Sequence, residues 1–240
     1  KGVEPVRMTS LQGIQQMSLA ALKDRNGIEM TEGHDEELAR LIALSKDSSK
    51  RGRRQLFNNI SDLFLQEEER LSEQEHALIV SILTKLLSEI ETTLRQNLAE
   101  ELADHENVPH GLITLLANDE IDVALPILQD CGLLAESDLI EVIKTRSSQH
   151  QLAVAARENI SEDVSQALCD TDNEEVCLCL INNHTAAIPN SALEILSDRS
   201  EAITAYQKPL LQRPFLPSHI AQEMYKWVSI ALREYIAEEF

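Results

Sequence analysis

A chain of 240 residues with a formal charge of −20 at pH 7 is long enough for one large domain or two small ones with a real core. That charge argues against DNA, RNA and anionic membrane surfaces as partners, because each needs a positive footprint. Seven glycines, seven prolines and an aromatic content of only 3%, in a sequence rich in Leu, Ala, Glu, Ile and Ser, describe an all-α protein.

From the start, Leu11, Ile14 and Leu22 fall at helical spacing, and a turn-rich break follows over "NGIEMTEGH". "DEELARLIALSK" reads as a short helix and "DSSKRG" as a loop. In "RRQLFNNISDLFL", Leu56, Ile60, Leu63 and Phe64 make one helical face. After a charged break, "QEEER", about thirty residues follow without Gly or Pro. They open on a capping-box pattern, Ser72 with Glu75, and carry a stripe of Leu78, Ile82, Leu86, Ile90 and Leu94. One long helix is expected there, as the spine of an N-terminal bundle over residues 1–105.

From Val108 the texture changes to a beat. "VPHGL", "AESDL", "ISEDV", "IPNSA" and "LPSHI" begin at 108, 135, 160, 188 and 216, at intervals of 27, 25, 28 and 28 residues. The first four beats are each followed by a second apolar segment: Val123–Leu128, Leu152–Ala156, Val176–Ile181 and the weaker Ala202–Tyr206. Each unit is therefore helix, polar turn, helix. A hairpin this short cannot bury its own apolar face, so it must stack on its neighbours. Residues 106–240 are expected to form an α-solenoid of short HEAT-like hairpins. A long last helix from Ser218, carrying Trp227, is expected to cap it.

The wording around Val123, Ala124, Pro126 and Leu128, then Ala155, Arg157 and Val164, then Asn183 and Ala186, resembles a bacterial family known only as a domain of unknown function. "LRQNLAEELA" fits as well, and the resemblance spans roughly residues 36 to 235. It implies an all-helical fold and carries over no activity, cofactor or catalytic residue.

Chemistry is sparse. Cys177 and Cys179 form C-x-C within a helix, so they point about 200° apart and do not converge on a metal. Four cysteines are too few for a disulfide scaffold. His105 and His110 suggest a metal or acid–base pair, set against a plain loop role beside a helix end. No nucleophile elbow or phosphate loop is present, so no catalytic residue, metal site or cofactor is assigned.

Five residues are candidates for partner binding. Arg51, Arg53 and Arg54 lie in "KRGRR", the one dense basic cluster, which suits an oxyanion or acidic peptide, or else neutralises the chain's own "EEER". Arg157 and Asn183 close the second helices of successive units, where they either face a peptide groove or satisfy last-turn carbonyls within the stack. The expected function is a non-catalytic scaffold for a basic or amphipathic protein. A ligand sensor, an enzyme and a homo-oligomer are the alternatives, and a homodimer is compatible with either binding role. No apolar run of about 20 residues and no signal-peptide core are present, so a cytoplasmic chain without membrane insertion is expected. The chain stops in "REYIAEEF" while still reading as helix, so a trimmed end is expected as well.

Overall fold

The computed structural model describes residues 43–47, 49–66 and 73–240. Every regular element among them is a helix. The sequence readings over residues 9–42, the "QEEER" break and the Ser72–Glu75 capping box lie outside the described side chains. Two compact units divide between Leu98 and Ala99.

In the first unit, α1 (Lys50–Gln66) packs on α2 (Glu73–Leu87). Leu56, Phe57, Ile60 and Phe64 of α1 are buried, as are Ile79, Ile82, Leu83, Leu86 and Leu87 of α2. The expected loop "DSSKRG" is half helix. Ser49 accepts from the Gly52 N–H at 3.0 Å and so starts α1 three residues earlier than the loop reading allowed.

The expected thirty-residue spine is broken. It ends as α2 at Leu87 and restarts as α3 (Thr92–Ala103). The Ser88 hydroxyl donates to Lys85 O at 2.9 Å, and the Arg95 guanidinium donates to Ile90 O at 2.8 Å, so both sides of the break satisfy their own carbonyls. Arg53 and Arg54 reach Glu89 and Glu91 within the break, at 3.1 and 2.7 Å.

The second unit is a repeat-like succession of hairpins. After α3 come α4 (His110–Ala117) and α5 (Ile121–Asp130), then α6 (Glu136–Thr145) and α7 (Ser148–Ala156). Next are α8 (Glu162–Cys169) and α9 (Glu174–Asn182), then α10 (Asn190–Arg199) and α11 (Thr204–Leu211). The second helices α5, α7, α9 and α11 pack consecutively as one layer. The first helices α6, α8 and α10 form the other, continued by α12 (Ser218–Met224). Between the layers lie fully buried side chains such as Leu116, Val123, Ile127, Val142, Val154, Val164, Leu168, Leu180, Leu196 and Leu210.

Each beat of the sequence opens a helix: Val108, Ile160 and Leu216 are buried just before the N-cap, Ile188 is half-buried, and Ala135 is itself the N-cap. Ser161 caps α8 through the Val164 N–H, and Asn173 caps α9 through the Glu175 and Val176 N–H groups at 3.0 and 3.3 Å. Glu174 and Glu175 add negative charge to the same positive helix end. Asn173→Ala is expected to lower stability by about 1 kcal/mol in urea unfolding.

Two boundaries differ from the sequence reading. The weak segment Ala202–Tyr206 only begins α11, whose buried residues are Tyr206, Gln207, Leu210 and Leu211. The long last helix is split into α12 and α13 (Ile230–Glu239). Ser229 caps α13 through the Leu232 N–H, and Trp227, between the two, donates its indole N–H to Ser200 Oγ at 3.0 Å.

Candidate functional site

The ends of the second helices carry a chain of polar joints. Arg157 lies just past α7, and its guanidinium turns back to the end of the preceding second helix, α5. It donates to Leu128 O at 3.1 Å, Gln129 O at 3.3 Å and Cys131 O at 2.6 Å. Asn183, past α9, does the same one step on: its amide donates to Ala155 O at 2.9 Å and Arg157 O at 2.7 Å. Arg213, past α11, donates to Leu180 O, Ile181 O, Asn183 O and Ala186 O at 2.8 to 3.2 Å.

The physics is helix capping by a neighbour. The last carbonyls of a helix have no partner within it and form its negative end. A guanidinium has five N–H donors in a fixed fork, so one side chain serves several of these carbonyls. Burial lowers the pKa of both Arg157 and Arg213 by penalising the charged form.

Of the two roles open to Arg157 and Asn183, the structure therefore shows the one inside the stack. Their polar atoms point at neighbouring carbonyls, so the groove-facing role has no geometric support here. Arg213 escaped the sequence reading, although a signal existed: it stands three residues before the beat at 216, as Arg157 does before the beat at 160. The first-helix layer has joints as well. Arg146 donates to Asn118 Oδ1 at 2.8 Å, and Arg199 donates to Cys169 O at 3.3 Å.

The basic cluster is also largely spent on the chain itself. Arg53 pairs with Glu89 and Arg54 forms a two-pronged contact with Glu91, so neutralisation of acidic residues is observed, although with the α2–α3 break. The Arg54 hydrogen bond holds the Glu91 carboxyl below its ordinary pKa. "EEER" lies outside the described residues. Arg51 is exposed and has no ion-pair partner among the described residues.

The histidines do not form a joint site. His110 Nε2 lies 3.4 Å from Asp138 across the hairpins, and no group of three or more His, Cys, Asp or Glu is placed to hold a metal among the described residues. His150, buried, holds Ser147 Oγ at 2.8 Å and Asp119 O at 2.9 Å.

One feature next to the joints points outward. Phe215 is 100% exposed, with φ at +61°. The loop "RPFLP" repeats the layout of "RENIS": arginine joint, then a left-handed residue two places on, then a buried apolar residue and the helix N-cap. In "RENIS" the left-handed place belongs to Asn159, a residue that tolerates it. A phenylalanine there costs about 1–2 kcal/mol and leaves a whole ring in water. Arg213, Leu216 and the N-cap Pro217 hold the loop on either side. Phe215→Asn is accordingly expected to raise stability by about 1 kcal/mol in urea unfolding, because nothing that Phe215 packs on is lost.

The joints of the second-helix layer and the Phe215 loop lie in one region of the chain that matches a family model. Residues 123–240 match the model of DUF2336, a family of uncharacterised proteins conserved in bacteria. Of the stretch that resembles such a family in sequence, the part before Val123 lies outside this match. The DUF2336 region thus covers α5 to α13, less the first two residues of α5, while Arg51, Arg53 and Arg54 stand outside it. Comparison with curated proteins and with solved structures returned no match. No helix among the described residues is long and apolar enough to cross a membrane.

Proposed function

We propose that the chain is a non-catalytic interaction scaffold. Its short, HEAT-like hairpins stack into a rigid body, and the Phe215 loop is the anchor that engages a protein partner. The observation that carries this reading is a fully exposed aromatic ring held in a backbone conformation that costs stability. Exposed aromatic side chains on a rigid support are the usual energetic centres of protein interfaces. The charge of −20 favours a basic or amphipathic partner over a nucleic acid, and suits a cytoplasmic chain.

The test replaces Phe215 by the photoactivatable benzoylphenylalanine in the source cell. The same residue at Glu141, exposed on α6, is the control. A discrete crosslinked species at 215 and none at 141 is expected. Equal labelling at both sites, or none at 215, would contradict the anchor role.

A second reading, self-association, is favoured by α13. There Ile230 is 75% exposed and only Ile236 is buried. Light scattering on the wild type and Ile230→Glu distinguishes it: a dimer lost on substitution would support it.

A further inference from the structure

Three successive second helices place a leucine on their solvent-facing side. Leu125 of α5 is 40% exposed, and Leu152 of α7 and Leu178 of α9 are half-buried. They follow one another at intervals of 27 and 26 residues, on helices that pack in succession. Pro126 and Cys179, both half-buried, widen the strip. The Cys179 thiol lies 4.0 Å from Leu152 O, so the α7 and α9 parts of the strip adjoin. On α11 the exposed Lys208 ends the row. A lone exposed leucine needs no explanation, since folded surfaces are rich in apolar atoms. A row is different. Packing between the layers fixes buried positions such as Val123, Val154 and Leu180, and asks less of the outward ones.

The flanks of the row carry one sign of charge. Asp122 lies one turn before Leu125, and Glu174 and Glu175 lie one turn before Leu178, all three exposed. The ion pairs among the described residues involve other side chains. An apolar strip edged by unpaired carboxylates fits a segment that is apolar on one side and basic beside it. The main chain of these helices is bonded internally, so an extended segment would find no backbone partners here, whereas a helix satisfies its own. Packed helices lie roughly 8–10 Å apart, and a helix rises about 10 Å in seven residues. One apolar residue in seven therefore meets one leucine per second helix.

We propose that the outward face of α5, α7 and α9 binds a basic amphipathic helix of a protein partner. Apolar residues seven apart sit over Leu125, Leu152 and Leu178, and Lys or Arg beside them sit over Asp122, Glu174 and Glu175. This surface is separate from the Phe215 loop and does not depend on the anchor role given to it.

The test titrates a fluorescein-labelled synthetic helix of alanine and lysine, with leucine at every seventh residue, into the purified chain and follows anisotropy. A control peptide of the same composition has leucine at every fifth residue, which spreads the leucines round the helix. Wild type is expected to bind the first peptide about tenfold more tightly than the second. Leu152→Gln with Leu178→Gln is expected to weaken the first peptide about tenfold. Ile195→Gln, on the first-helix layer, and Phe215→Asp are expected to leave it unchanged. A benzophenone in place of the peptide's middle leucine is expected to crosslink wild type within α5, α7 or α9, a result that needs no variant to fold. Equal binding of the two peptides, no binding, or crosslinks confined to the first-helix layer would each overturn the proposal. Crosslinks confined to the Phe215 loop, with binding lost in Phe215→Asp, would overturn it too while upholding the anchor.

Discussion

Arg213→Met is expected to lower stability by about 3 kcal/mol, the largest loss for any polar side chain in the stack. The side chain is 8% exposed and serves four carbonyls. Methionine fills much of the volume but donates nothing. Two of the four carbonyls keep another partner, because Leu180 O also accepts from the Asn183 N–H and Asn183 O from the Ala186 N–H. Ile181 O and Ala186 O lose the guanidinium N–H at 2.8 Å that serves each of them. Relief of the buried charge offsets part of the cost. Lysine does not rescue the site, since one ammonium cannot span what a planar fork reaches. Arg157→Met is expected to cost less, about 2 kcal/mol, because that side chain is only half-buried and serves three carbonyls. Urea unfolding measures both; a loss below about 1 kcal/mol at Arg213 would mean that the joint is idle.

Leu180→Ala is expected to cost about 3 kcal/mol by the same measurement. Leu180 is fully buried in α9, the helix of the second layer that packs on both α7 and α11. Truncation loses the transfer energy of the side chain and leaves a cavity that two flanking helices must close. Its own carbonyl is an acceptor for Arg213, so backbone relaxation at 180 is felt at the joint. The double variant Leu180→Ala, Arg213→Met should therefore depart from additivity by about 0.5 kcal/mol or more. Leu112→Ala with Arg213→Met, two sites without a shared partner, should add.

The repeat-like half of the fold was legible because its signals are local. The N-caps at the beats are Pro109, Ala135, Ser161, Pro189 and Pro217, and α4, α6, α8, α10 and α12 start one or two residues after the beat. The two broken helices were not legible for the opposite reason. Apolar spacing runs through Ser88–Glu91 and through Tyr225–Ser229 without Gly or Pro. Contacts distant in sequence mark both breaks: Arg53 and Arg54 with Glu89 and Glu91, and Trp227 with Ser200. The same limit applies to the site. Position marks Arg157 and Asn183 as special, but which way they point depends on carbonyls 26 to 29 residues earlier. C-x-C drew attention to Cys177 with Cys179, whereas the structure sets Cys177 against Arg199 of the next hairpin and Cys179 against Leu152 O. Phe215 was hidden because neither composition nor spacing reports a left-handed backbone.

The most direct test of the scaffold reading is native co-purification from the source cell, with crosslinking and mass spectrometry, of wild type, Phe215→Asp and Arg157→Met. The account predicts a stoichiometric partner held by wild type and by Arg157→Met. Phe215→Asp should lose that partner while its urea midpoint stays at or above wild type. A partner retained in full by Phe215→Asp, or a chain that purifies as a defined oligomer with no partner, would contradict it.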